Sequence, residues 1–140
     1  MKRRASTLAL FVSLTAGCSV NSLLNQMEAE SDKSIDLACD CTNVFPDRAA
    51  CEAQFGSFLS PFDRECLEDA LALDKKASKK SLECIVDQHR EYNDCLEEML
   101  DCNDGNSWQG CQDIISPNTC PQLPAEVQTA LKPCGTNDDD

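Results

Sequence analysis

The sequence predicts a mainly α protein, a small disulfide-rich antiparallel helical hairpin or bundle with a loop-rich C-terminal part. Three observations predict it. Ten cysteines fall between Cys39 and Cys134. Apolar residues from Ser78 to Cys102 recur at helical spacing. No segment alternates apolar and polar residues over strand length, and no repeat of fixed period is present.

The cysteines compensate for a thin core. From residue 18 onward, Leu, Ile, Val and Phe number 24, about a fifth of the residues. Chains of that composition border on the disordered range. Cys39, Cys41, Cys51, Cys66, Cys84, Cys95, Cys102, Cys111, Cys120 and Cys134 are expected to form five disulfides. Closing a loop of about 15 residues is worth about 3 kcal/mol in the chain-entropy model. Pairing is not readable from sequence. A helix–turn–helix arrangement makes Cys51 with Cys66, or Cys66 with Cys84, geometrically reasonable, and Cys66 can take only one partner.

Residues 1–17 read as a signal peptide. Lys2, Arg3 and Arg4 form a basic start, and Leu8 to Gly17 a short apolar run. That run is too short to span a bilayer, which takes roughly 20 helical residues. The junction Leu14-Thr15-Ala16-Gly17-Cys18 resembles the lipobox of bacterial lipoprotein precursors. It departs from the commonest pattern by placing Thr15, not Leu14, three residues before the cysteine. The resemblance covers only the first 18 residues. It implies cleavage before Cys18, a diacylglycerol on the Cys18 thiol and an acyl group on its amine. Ser19, in place of Asp, implies by the enteric sorting rule the outer membrane, on its periplasmic or surface face. Cysteine parity agrees with this reading: of 11 cysteines, removing Cys18 leaves an even ten. In general make-up, the chain is similar to small cysteine-rich lipoproteins of myxobacteria.

Residues 18–36 are mostly polar and are expected to be the lipidated N-terminus and a flexible tether, with an r.m.s. span of roughly 25 Å. Leu23, Leu24 and Met27 would form a helical turn lying on the membrane. The domain is expected over 37–134. Pro46 and Asp47 suit a helix start, with Cys51, Phe55 and Phe58 on one stripe. Gly56, Ser60 and Pro61 mark a break. A second helix starts near Pro61–Asp63, with Cys66, Ala70, Leu73 and Ala77 on one face and Leu67 and Leu71 beside it. The run Lys75-Lys76-Ala77-Ser78-Lys79-Lys80 reads as a turn, with lysines at one helix C-terminus and Ser78 capping the next helix.

The third helix, about Ser78–Cys102, carries the best periodic signal. Cys84, Cys95 and Cys102 fall within about 20° of one another on a helical projection. Leu82, Ile85, Tyr92, Leu96, Met99 and Leu100 extend the buried stripe, and Asp87, Arg90, Glu91, Asp94, Glu97, Glu98 and Asp101 form the opposite face. Asn103-Asp104-Gly105 ends it as a turn. Helical turns follow near Trp108–Ile115 and from Pro124 to Leu131. Residues 135–140 read as an acidic disordered tail.

Composition bounds function. The mature chain carries 9 Lys and Arg against 25 Asp and Glu, a net charge of −16. As a whole, such a surface repels nucleic acid and anionic headgroups. No C-x-x-C occurs, and His89 is the only histidine, so no metal site is expected and His89 reads as a packed residue. Around Asp101, a calcium loop would need Gly at the sixth position and Glu at the twelfth; Gly105 is fifth and Gln112 twelfth. Trp108 reads as a packing anchor. No nucleophile elbow or phosphate loop is present, so no catalytic residues and no cofactor are expected beyond the lipid on Cys18. The expected function is that of a lipid-anchored envelope protein with a structural or interaction role, its partners the membrane and another envelope protein or peptidoglycan. The alternative is an extracytoplasmic binder of a small ligand or cation.

Overall fold

The computed structural model describes residues 19–41, 47–55, 62–104 and 107–135. Residues 1–17, Cys18, Pro46, Gly56, Phe58, Ser60, Pro61, Gly105 and 136–140 lie outside these, as do the side chains of Phe55 and Trp108. The chain order is α1 (Val20–Cys39), α2 (Arg48–Phe55), α3 (Arg64–Ala72) and α4 (Lys75–Met99). A 3-10 segment (Ser107–Ile114), a 3-10 turn (Pro117–Thr119), α5 (Ala125–Leu131) and a last 3-10 turn (Lys132–Cys134) complete it. No strand occurs among the described residues; Phe62 and Gly135 form one isolated antiparallel bridge.

α1 overturns the expected tether. Ser19 is extended, and its Oγ accepts the Ser22 N–H at 3.1 Å, an N-cap that satisfies one of the helix's free donors. Val20, Leu23, Leu24 and Met27 then follow at helical spacing on one stripe. Leu23, Leu24 and Met27 do not lie on a membrane. They are buried in the main core with Leu71 of α3, Leu82 and Val86 of α4, and Val127 of α5. Burying each such side chain contributes about 1.5–3 kcal/mol, which offsets ordering an otherwise polar segment. The folded body therefore starts at Ser19, not near residue 37.

α3 and α4 also differ in detail from expectation. Asp63 caps α3, with its carboxylate accepting the Cys66 N–H at 3.1 Å. The break between α3 and α4 is Leu73–Asp74, ahead of the lysine run rather than within it. Asp74 captures the Ala77 N–H at 2.9 Å and so starts α4 first. The lysines thus occupy the first turns of α4. Ser78 is buried inside the helix, and its Oγ donates to the Leu71 carbonyl at 2.9 Å. Leu73, expected on a buried face, is 58% exposed. Along α4 the buried stripe is Leu82, Val86, His89, Asn93 and Leu96. Ile85 and Tyr92 are half-buried at its edge, and Met99 is exposed. The helix stops at Met99, so Cys102 lies in the following turn.

α1 and α4 are the dominant packed pair, and they run parallel. Contacts between them keep a nearly constant sequence offset, from 59 for Ser34 with Asn93 to 64 for Gln26 with Arg90 and 61 for Cys41 with Cys102. α3 meets α4 through a two-residue turn and runs the opposite way, the antiparallel relation expected of such neighbours.

Five disulfides close the fold, with Cα separations from 4.8 to 5.9 Å. Cys39–Cys51 holds α2 on the end of α1, where Arg48 also pairs with Asp36 and Asp40. Cys41–Cys102 joins the far ends of α1 and α4. Cys84–Cys120 and Cys95–Cys111 pin the returning chain along α4. Cys66–Cys134 ties α3 to the last turn, where the Asp63 N–H donates to the Cys134 carbonyl at 2.9 Å. Neither Cys51–Cys66 nor Cys66–Cys84 forms. The reason is position: α2 sits on the C-terminal end of α1, whereas Arg64 at the start of α3 binds Asn21 and Asn25 near its N-terminal end.

Replacing Cys66 and Cys134 together by Ala is expected to cost more stability than replacing Cys39 and Cys51, since the loops span 68 and 12 residues. The chain-entropy values are about 4 and about 3 kcal/mol. Guanidinium denaturation of the two double variants checks this, and a reversed order would contradict it.

Candidate functional site

Besides the Arg48 cluster at the end of α1, polar side chains come together at the start of α1 and in the middle of the α1–α4 contact. Cys18 lies outside the described residues, and Ser19, its covalent neighbour, is the first of them. Arg64 clamps the start of α1. Its guanidinium donates to the Asn21 and Asn25 side-chain oxygens, each at 2.6 Å, and to Glu68 at 2.8 Å. A cleft of about 350 Å³ opens beside it. Ser19, Val20 and Asn21 line one part; Glu68, Ala72, Lys75 and Lys79 line the remainder.

The second region is a polar seam inside the helix pair. Asn93 is fully buried. Its amide donates to the Glu30 carbonyl at 3.0 Å and to Glu30 Oε2 at 2.9 Å. Ser34 Oγ lies 2.6 Å from Asn93 Oδ1 and 2.9 Å from the same Glu30 carbonyl. On the outer side, Arg90 donates to Glu30 Oε1 at 3.1 Å and to Gln26 at 2.6 Å. The carboxylate of Glu30 is thus shared by two donors from α4, which fixes how far the helices slide against each other. His89 sits one turn before Asn93 and is 9% exposed. Burial holds its imidazole below the ordinary value, with the Glu30 charge acting the other way.

The sequence reading placed His89 correctly as a packed residue, but it missed Glu30, Ser34 and Asn93. The available signal was spacing. Residues 27, 31, 34 and 38 continue the stripe of α1, and 86, 89, 93 and 96 that of α4. A polar residue at a stripe position on each helix marks a paired polar layer.

The ten cysteines from Cys39 onward are all engaged with one another. Among the described residues, no three His, Cys, Asp or Glu side chains converge to hold a metal ion. Asp101 accepts the Asn103 N–H at 2.9 Å and so closes the turn after α4. Among the same residues, no helix is long and apolar enough to cross a membrane.

Asn93→Ala would leave the Glu30 carbonyl and carboxylate short of a buried donor, and is expected to cost about 1–3 kcal/mol. Asn93→Asp, which sets a second carboxylate against Glu30, should cost more. Chemical denaturation measures both, and a neutral Asn93→Asp would show that the seam carries no weight. The lowered His89 pKa has a definite sign. The unfolded chain binds a proton near 6.5 that the folded protein resists, so stability falls as pH drops through that value toward the lower folded one. Thermal midpoints at about pH 7.5 and about pH 5.5 should fall further in the parent than in His89→Gln; parallel falls would refute this. No family model, curated protein or solved structure matches this chain.

Proposed function

We propose that the protein is a lipid-anchored cell-envelope protein with a structural or interaction role, exported by residues 1–17 and held in the membrane by a diacylglycerol and an N-acyl chain on Cys18. One observation carries the reading. Ten cysteines pair among themselves, and the eleventh, which they leave unengaged, is the one at the lipobox-like junction. Five disulfides also suit an oxidising compartment outside the cytoplasm.

Stable anchoring needs more than one acyl chain, because a single chain binds only marginally. Two or three chains on Cys18 meet that requirement. By the enteric rule, Ser19 directs the protein to the outer membrane. Asp87, Glu91, Asp94 and Glu98 are exposed along α4, and this acidic strip is what the body offers to another envelope protein or peptidoglycan. At a net charge of −16 the mature chain is no nucleic-acid binder.

Intact mass spectrometry of the full chain, expressed in a diderm bacterial host and measured before and after reduction, tests the proposal. The expected species begins at Cys18, carries diacylglyceryl and acyl mass, and gains ten hydrogen atoms on reduction of the five bridges. Cys18→Ser should carry no acyl mass. Recovery of the parent as an uncleaved chain with free thiols, or cleaved without acyl groups, would overturn the reading.

A further inference from the structure

We propose that the start of α4, Lys75, Lys76, Lys79 and Lys80 beside the exposed Leu73, is a docking surface for the anionic lipid headgroups of the membrane that holds Cys18. The inference rests on the lipid-anchor reading and adds how the body sits on that membrane.

Position comes first. α1 and α4 are parallel, so their N-terminal ends lie at the same end of the molecule. Lys75 and Lys79 line the same cleft as Ser19, the residue bonded to Cys18. Because α1 begins at Val20, no flexible tether separates the anchor from the folded body. Acyl chains inserted at Cys18 therefore bring the lysine end within a residue or two of the headgroups.

Charge is the second argument. Residues 72–82 hold four lysines and one aspartate, a net charge of +3. The remainder of the mature chain holds 5 basic and 24 acidic residues, a net charge of −19. Three carboxylates at this end are already engaged: Asp74 caps α4, Glu68 pairs with Arg64 and Glu83 with Lys79. Lys75, Lys76 and Lys80 are exposed. The net repulsion expected of the whole chain thus becomes an orienting field. The lysine end is attracted to an anionic surface while the acidic body is pushed from it.

The third argument is local cost. The first turn of α4 holds no acidic residue, and Lys75 and Lys76 sit at the positive end of its dipole. Cations there weaken a helix. Folding alone disfavours the arrangement, and an anionic partner outside the chain reverses the sign. Leu73, exposed in the turn just before the lysines, supplies an apolar side chain for the interface.

The test uses the purified lipidated protein in vesicles of phosphatidylcholine, with and without phosphatidylglycerol at about a third of the lipid. Flotation reports anchoring, and acetylation with a water-soluble amine reagent, mapped by mass spectrometry, reports each lysine. In the phosphatidylglycerol vesicles, Lys75, Lys76 and Lys80 should react roughly fivefold or more slowly than in phosphatidylcholine. Lys33, paired with Glu97 toward the far end of the parallel α1–α4 pair, should react equally in both. Salt at about 1 M, where screening acts within about 3 Å, should restore the rates. Flotation with both compositions but equal acetylation removes the docking surface and leaves the anchor. Flotation with neither overturns the anchor, and the docking surface with it.

Discussion

Parallel packing of α1 against α4 constrains everything else in this fold. Parallel neighbours cannot be joined by a tight turn, so the chain must travel back between them. Residues 40–74 make that return and carry α2 and α3. The contact has three zones along its length. Apolar side chains fill the first, the Glu30–Ser34–Asn93 seam the second, and Cys41–Cys102 bonds the end covalently. Leucine-like contacts tolerate sliding by a turn, whereas a buried amide with a single matching carboxylate does not. The seam therefore sets the register that the apolar zone alone would leave loose, and that register brings Cys41 opposite Cys102.

The helical, disulfide-rich class was legible because two signals agreed. The stripe of α4 has strong amplitude, and ten cysteines are too many for an ordinary core. The aim of Cys84 and Cys95 toward neighbouring segments followed from their projection alone, and each finds a partner on the chain that returns along α4. α1 was illegible as a core helix because Ser31 and Ser34 occupy stripe positions where a Leu would have revealed it. Its polarity is the price of the seam, and composition read that polarity as a linker. The α3–α4 boundary was misplaced by a different competition. Lysines suggested a C-terminus through the helix dipole, but Asp74 supplies a capping hydrogen bond one residue earlier. A specific bond outweighs a diffuse charge preference.

Given the anchor proposed on Cys18, the loss of the tether changes how anchor and body relate. A flexible spacer would decouple the domain from the membrane and let it reach partners in many poses. A helix capped by Ser19, the residue after Cys18, would transmit orientation instead. The parallel pair, about 30 Å long in α1, then serves as a rigid post whose foot and tip differ in charge and chemistry. The foot carries the lysines and the cleft, and the tip carries α2 and the Cys39–Cys51 and Cys41–Cys102 bridges.

The bridge pattern has a consequence for how the molecule matures. None of the five bonds joins cysteines adjacent in sequence order. If the chain is exported as proposed, an oxidant acting on it as it emerges meets Cys39 with Cys41 first, then Cys51, before Cys102, the mate of Cys41, is in reach. Capture in order of emergence yields the wrong isomer every time. Thiol exchange must then undo those early links, on a timescale of seconds to hours without catalysis. Production of the native form therefore depends on a shuffling activity as much as on an oxidising one, and a host rich only in the latter accumulates scrambled chains.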